Sequence, residues 1–129
     1  PVGNTSWLAK SPEVVKAFLR AWIRAEAFLL DNQEECVAIN QKYLKLDEAQ
    51  SREMLLETHQ VFESDPKGNG VRYMWELLGK LNYANTDGLN VDDHLNTTLY
   101  EEALKELRER EPENIRYKEF EERFGRYNR

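Results

Sequence analysis

The chain has 129 residues, 40% of them hydrophobic and 33% charged, with six Gly, four Pro and a formal net charge of −6. That length supports one domain with a core that needs no disulfides, and the profile suits a helical, well-solvated fold. Eighteen bases scattered among 24 acids, with no basic cluster, exclude a nucleic-acid or anionic-membrane surface.

Residues 1–10 hold a Gly, small polar residues and then Trp7 and Leu8, and read as a loop or strand end that leads into the body. From Ser11 to Asn32, SPEVVKAFLRAWIRAEAFLLDN, the spacing predicts the longest helix in the chain. Val15, Phe18, Leu19, Trp22, Ile23 and Leu29 recur at steps of three and four, and Val14, Ala17, Ala21, Ala25 and Phe28 widen the face. A narrow polar stripe runs through Glu13, Lys16, Arg20, Arg24 and Asp31. About two-thirds of the circumference therefore needs cover from other elements, and this helix is expected at the centre of the fold. Ser11 suits an N-cap and Pro12 the first helical position.

Asn32-Gln33-Glu34-Glu35 has the form of a capping box, opening a helix that would turn Cys36, Val37, Ile39, Tyr43 and Leu44 inward. Asp47 with Gln50 repeats the box. The run from there to about Glu63 places Met54, Leu55, Thr58, Val61 and Phe62 on one side. Ser64 to Gly70, SDPKGNG, is the strongest loop signal.

A helix from Val71 to about Asn82 would bury Val71, Met74, Trp75, Leu78 and Leu81, with Gly79 in its interior marking a close approach of another helix. After a polar connection, Val91 and Leu95 suggest a short turn. Thr97 or Thr98 then caps a helix to about Glu111, with Tyr100, Ala103, Leu104 and Leu107 inward, before Pro112 ends it. Beyond Pro112, Tyr117, Phe120, Phe124 and Tyr127 form a thin aromatic stripe in a charged tail expected to be helical, which packs either on the body or on a partner. The fold expected is all-α, four to five helices around the long first one, divided into a lead-in over 1–10, a helical domain over 11–111 and the tail over 112–129.

Chemistry-bearing patterns are sparse. Asp65, Asn69, Gly70 and Glu76 fall at positions 1, 5, 6 and 12 of a calcium-loop frame, but Lys67 puts a cation at position 3 where an oxygen ligand is required. Asp92-Asp93-His94 and the other histidine, His59, form no two-ligand helical pair. A single cysteine, Cys36, excludes an intramolecular disulfide and a cysteine-only metal site, and its place on an inner helix face marks it as a small core residue. There is no nucleophile elbow and no phosphate-binding glycine loop, so catalytic residues, metal ligands and cofactors are all expected to be none. No apolar run approaches a membrane span, and PVGNTSW does not read as a signal peptide.

The order of segments does resemble a family. Ser11-Pro12-Glu13 to Ala21 is similar to the proline-led "NPE-VV-AFLRA" helix near the C-terminus of periplasmic solute-binding proteins of the nitrate, sulfonate, taurine and thiamine-precursor class. Asp31-Asn32-Gln33-Glu34-Glu35 resembles the "NPEE" step that follows. Tyr43-Leu44-Lys45-Leu46-Asp47 resembles the "YL-x-LD" turn, the Val71 to Leu81 helix the family's "G-V-x-x-x-x-x-L-L-x-x-L" helix, and Asn90 to Tyr100 its "DL-x-x-x-v-D-x-s-y" ending.

The resemblance implies the C-terminal helical portion of a two-lobed α/β protein that closes on an anion or heterocycle and delivers it to an ABC permease. It implies a periplasmic or lipoprotein-anchored location, or a cytoplasmic one if the piece is fused to a transporter ATPase. The segment before the first helix would carry ligand contacts, at Asn4, Thr5 and Trp7. The alternative expectation is a helical interaction module derived from such a protein and fused to a transporter or sensor. It would form a homodimer through Phe18, Trp22 and Leu29 of the first helix or through Tyr117, Phe120 and Phe124 of the tail. The family's pyrimidine-synthesising enzymes carry a cysteine-rich motif that is not seen here. Phe18, Trp22 and Leu29 are expected to be covered, by later helices, by the tail or by a second copy.

Overall fold

The computed structural model describes residues 3–57 and 61–129, and every described element is helical. The helices are α1 (Thr5–Lys10), α2 (Pro12–Asp31), α3 (Gln33–Leu44), α4 (Glu48–Leu56), α5 (Gly68–Lys80), a 3-10 helix (Val91–His94), α6 (Thr98–Arg110) and α7 (Ile115–Asn128). The chain divides into two compact units, Pro1–Arg20 with Asp65–Arg129, and Ala21–Ser64.

The first unit is built on α6 and α7, which pair closely, and on α5, which packs on α7 and on the 3-10 helix. Its core is the periodicity of α6 and the aromatic stripe of α7. Tyr100, Ala103, Leu104 and Leu107 are buried, as their spacing predicts, together with Tyr117, Phe120 and Phe124. The rings of Tyr100 and Phe124 stack with centroids 5.6 Å apart. Tyr117 tucks its hydroxyl onto Glu111 Oε2 at 2.8 Å, so a buried phenol keeps a hydrogen-bond partner. Tyr117, Phe120 and Phe124 are thus committed within their own unit. The expectation that they form a dimer contact is corrected, because apolar rings at steps of three and four gain more from a preformed α6 face than from waiting for a partner.

At the other edge of this unit, Lys16 Nζ lies 2.8 Å from Glu13, 3.2 Å from Glu106 and 3.3 Å from Glu102, and Arg20 Nη1 donates to Glu106 Oε2 at 2.6 Å. Two members of the stripe expected to stay in water therefore face the acids of α6. Lys16 and Arg20 lay their aliphatic stems along the unit and are mostly buried.

The cover expected over the wide apolar face of the long helix is only partial. Its buried stripe is narrow, consisting of Leu19, Ile23, Glu26 and Ala27, while Phe18 is 54% exposed and Val14 is exposed as well. Trp22 and Leu29 are half-buried. The cover expected over Phe18 is therefore incomplete.

In the second unit α3 and α4 pair closely, and Val37 and Ser51 are their buried residues. Asp47 forms the capping box expected of it. Its Oδ1 accepts from Gln50 N at 2.8 Å, and Gln50 Oε1 accepts from Asp47 N at 3.2 Å. Asn32 forms no such box, since its Nδ2 turns back to donate to Phe28 O at 3.0 Å. With α2 ending one residue earlier, its orphan carbonyls compete for the same side chain. The helix expected to run to about Glu63 stops at Leu56, with Glu57 extended, and Val61 to Lys67 has no helical backbone. Thr58 lies outside the described residues.

Two further boundaries move. Thr5–Lys10 is a helical turn and a half where a loop or strand end was expected, because Asn4 caps it. The loop signal at Ser64 to Gly70 is cut short, since α5 starts at Gly68 after Lys67 adopts a left-handed conformation at φ 49°.

Candidate functional site

Among the described residues, an open groove of about 370 Å3 lies in the second unit. From α2 it receives Trp22, Ala25, Glu26 and Leu29, at the i, i+3, i+4 and i+7 positions of one helix face. α3 contributes Cys36, Ile39, Asn40, Tyr43 and Leu44 in the same pattern, and Leu55 and Phe62 complete the wall. These faces were all legible as apolar stripes. That they stop short of closing on one another was not, and the residue Tyr43, expected to point inward, is 70% exposed.

The polar features of the groove are few. Glu26 is buried, and its Oε2 accepts both from Ser64 N at 2.7 Å and from Ser64 Oγ at 2.6 Å. This carboxylate anchors the stretch that follows α4, and nothing in the apolar periodicity of α2 marked it. Its position one helical turn beyond Trp22 and four before Leu30 is the available signal. Burial pushes the Cys36 thiol pKa up, and the neighbouring Glu35 adds to the effect, so the thiolate is disfavoured. Lys42 Nζ sits 5.3 Å from the centroid of the Tyr43 ring, placing a cation on an aromatic face at the rim. Arg52 spans Glu34 and Glu48, with Nη1 to Glu34 Oε1 at 2.8 Å and Nε to Glu48 Oε1 at 2.9 Å. That pairing holds the Glu34 carboxyl below its ordinary pKa.

The residues singled out for ligand contact lie in the first unit. Asn4 Oδ1 accepts from Trp7 N at 3.1 Å and from Ser6 Oγ at 2.7 Å, so its carbonyl oxygen serves as the α1 cap. Thr5 opens the helix, and Trp7 is half exposed on it. None of the three lines the groove.

The calcium-loop frame is taken apart by the fold. Asp65 Oδ1 accepts from Lys67 N at 2.7 Å and from Asn128 Nδ2 at 2.9 Å, while Gly70 stands inside α5 and Glu76 is paired with Lys80 one turn on. Asp92 accepts from Arg72 Nε at 2.7 Å, and Asp92, Asp93 and His94 make up most of the 3-10 helix, capped by Asn90. His59 lies outside the described residues. Among the described residues no group of three or more His, Cys, Asp or Glu is gathered to hold a metal ion, and no helix is long and apolar enough to cross a membrane.

Compared with known protein families, with curated proteins and with solved structures, the chain matches none.

Proposed function

We propose that the chain is the helical C-terminal portion of an ABC-transporter solute-binding protein of the nitrate, sulfonate, taurine and thiamine-precursor class, serving small-molecule uptake. In this reading it is not an enzyme. Ligand contacts come mainly from α/β lobes contributed elsewhere in the whole protein, supplemented by Asn4, Thr5 and Trp7, and an ABC permease receives the ligand outside the cytoplasm.

The observation that supports it is the state of α5. Val71 and Met74 are exposed and Trp75 and Leu78 only half-buried, although all four lie on one helix face, and Leu81 at the C-cap is exposed too. Several exposed apolar side chains on one helix face suit a surface built to cover another element, and in α/β architectures that is a sheet. The ordered segment matches between Ser11 and Tyr100 support the same reading.

The encoding reading frame tests it. An upstream region of alternating strands and helices behind a secretion or lipoprotein signal is expected, and a frame without them sinks the proposal. Calorimetry of the whole protein with nitrate, taurine and an aminopyrimidine should then find one ligand whose affinity drops on Asn4→Ala or Trp7→Ala.

The exposure of Phe18 and Val14 favours a second reading, a helical interaction module that dimerises through that end of α2. Sedimentation separates the two, since a strict monomer whose behaviour is indifferent to Phe18→Ser removes the module reading.

A further inference from the structure

Charge is distributed unevenly between the two units. Ala21–Ser64 carries nine acidic and four basic residues, whereas the rest of the chain carries fifteen and fourteen, so nearly the whole net negative charge belongs to the unit that holds the groove. One of the four bases, Arg52, is already shared between Glu34 and Glu48. Another, Lys42, lies over the Tyr43 ring.

The groove itself is rich in exposed apolar side chains. Ile39, Tyr43, Leu44 and Phe62 all line it and are all exposed, and Met54 and Val61 of the same unit are exposed too. An opening of about 370 Å3 suits a few anchor side chains at steps of three and four. An apolar trough on an acidic body selects for an occupant with an apolar face and a basic one, because complementary potentials steer the encounter and like charges are repelled.

We propose that this groove is the docking site for a short basic amphipathic helix of a partner protein, whose aliphatic or aromatic anchors enter between Trp22, Tyr43, Leu44 and Phe62 while its Lys and Arg are drawn by the net negative charge of the Ala21–Ser64 unit. The site does not depend on the transporter reading, since it uses neither Asn4 to Trp7 nor the α5 face. The net negative charge of the unit that favours a basic helix disfavours nucleic acid and anionic lipid. Self-association is opposed by the same excess of acids.

Two synthetic peptides of identical Leu spacing test it, one with Lys and one with Glu at the polar positions, titrated against the whole chain while its backbone and Trp22 indole N–H resonances are followed. The Lys peptide should bind at least tenfold more tightly than the Glu peptide, shift resonances within Ala21–Ser64, and weaken several-fold as salt is raised. Tyr43→Ser combined with Leu44→Ser, both at exposed positions, should reduce binding of the Lys peptide at least tenfold while the rest of the spectrum is kept.

Equal binding of the two peptides overturns the proposal, as do shifts confined to α5–α7. Indifference to the double substitution overturns it too. Spectra that change with protein concentration alone at the groove residues would assign the face to a second copy of the chain instead.

Discussion

Asn128, the penultimate residue, accepts the backbone N–H of Gly68 on its Oδ1 at 2.7 Å, and so closes the first turn of α5 from the far end of the sequence. The same side chain donates to Asp65 Oδ1 at 2.9 Å and to Phe124 O at 3.2 Å. Gly68, Asp65 and Asn128 are all buried, and a Cβ at Gly68 would come within 3.3 Å of Asn128 Oδ1. An amide that satisfies one donor and two acceptors in a protected place fixes the register of the end of α7 against α5.

Replacing Asn128 by Ala therefore strands the Gly68 N–H and one bond to Asp65. A loss of about 1–3 kcal/mol is expected in denaturant unfolding, with faster amide exchange at Gly68 and the turn after it. Unchanged exchange there, with unfolding intact, would show that the contact holds nothing in place.

Gly79 provides a test in which the sign is decided by one neighbour. A Cβ built on it would lie 2.3 Å from Thr86 Oγ1, so the close approach is that of the loop after α5 and not of another helix. Gly79→Ala alone should destabilise in spite of a propensity gain of about 1 kcal/mol. Combined with Thr86→Ala it should become neutral or stabilising relative to Thr86→Ala, and a double-mutant cycle with no coupling term would refute the clash.

Phe120 is 2% exposed between Tyr117 and the guanidinium of Arg123, which stands 4.7 Å from its ring centroid. Truncation to Ala should cost about 3–5 kcal/mol. The same change at Tyr127, the fourth member of the stripe and 40% exposed, should cost about 1 kcal/mol or less. Similar losses at both positions would mean that the whole tail, and not its inner face, is packed.

The α2–α6 ion cluster gives a pH dependence with a definite direction. The hydrogen bond from Lys16, with the Arg20 and Arg110 charges, holds the Glu106 carboxyl below its ordinary pKa. Its contribution is full above the usual carboxylate range and is lost as pH falls through the depressed value. Lys16 is raised by its bonds to Glu13 and Glu106, so its contribution persists throughout the neutral range and disappears only in strong base. Lys16→Met should flatten the acid-side fall of the denaturation midpoint. An acid limb identical to that of the unaltered chain would dissociate the cluster from stability.

The sequence alone determined what depends on neighbours within a turn or two. Helical faces at Tyr100 to Leu107 and at Tyr117 to Phe124 were written in their spacing, and the Asp47–Gln50 box in two residue types, because backbone periodicity and capping are short-range effects. Even the walls of the groove, Trp22 with Leu29 and Cys36 with Tyr43, were legible as stripes.

Only the tertiary structure decided how far each stripe is matched. It ranked α6 and α7 above α2 as the core of the first unit, turned Lys16 and Arg20 toward the acids of α6, bent Asn32 back to Phe28, and brought Asn128 to Gly68 across 60 residues. It also left the α2 and α3 faces parted, so that Tyr43 lines an open groove instead of a core. Width of an apolar face states a demand for cover, but which surfaces meet is set by long-range packing and by the long-range pairing of polar groups, neither of which a local pattern encodes.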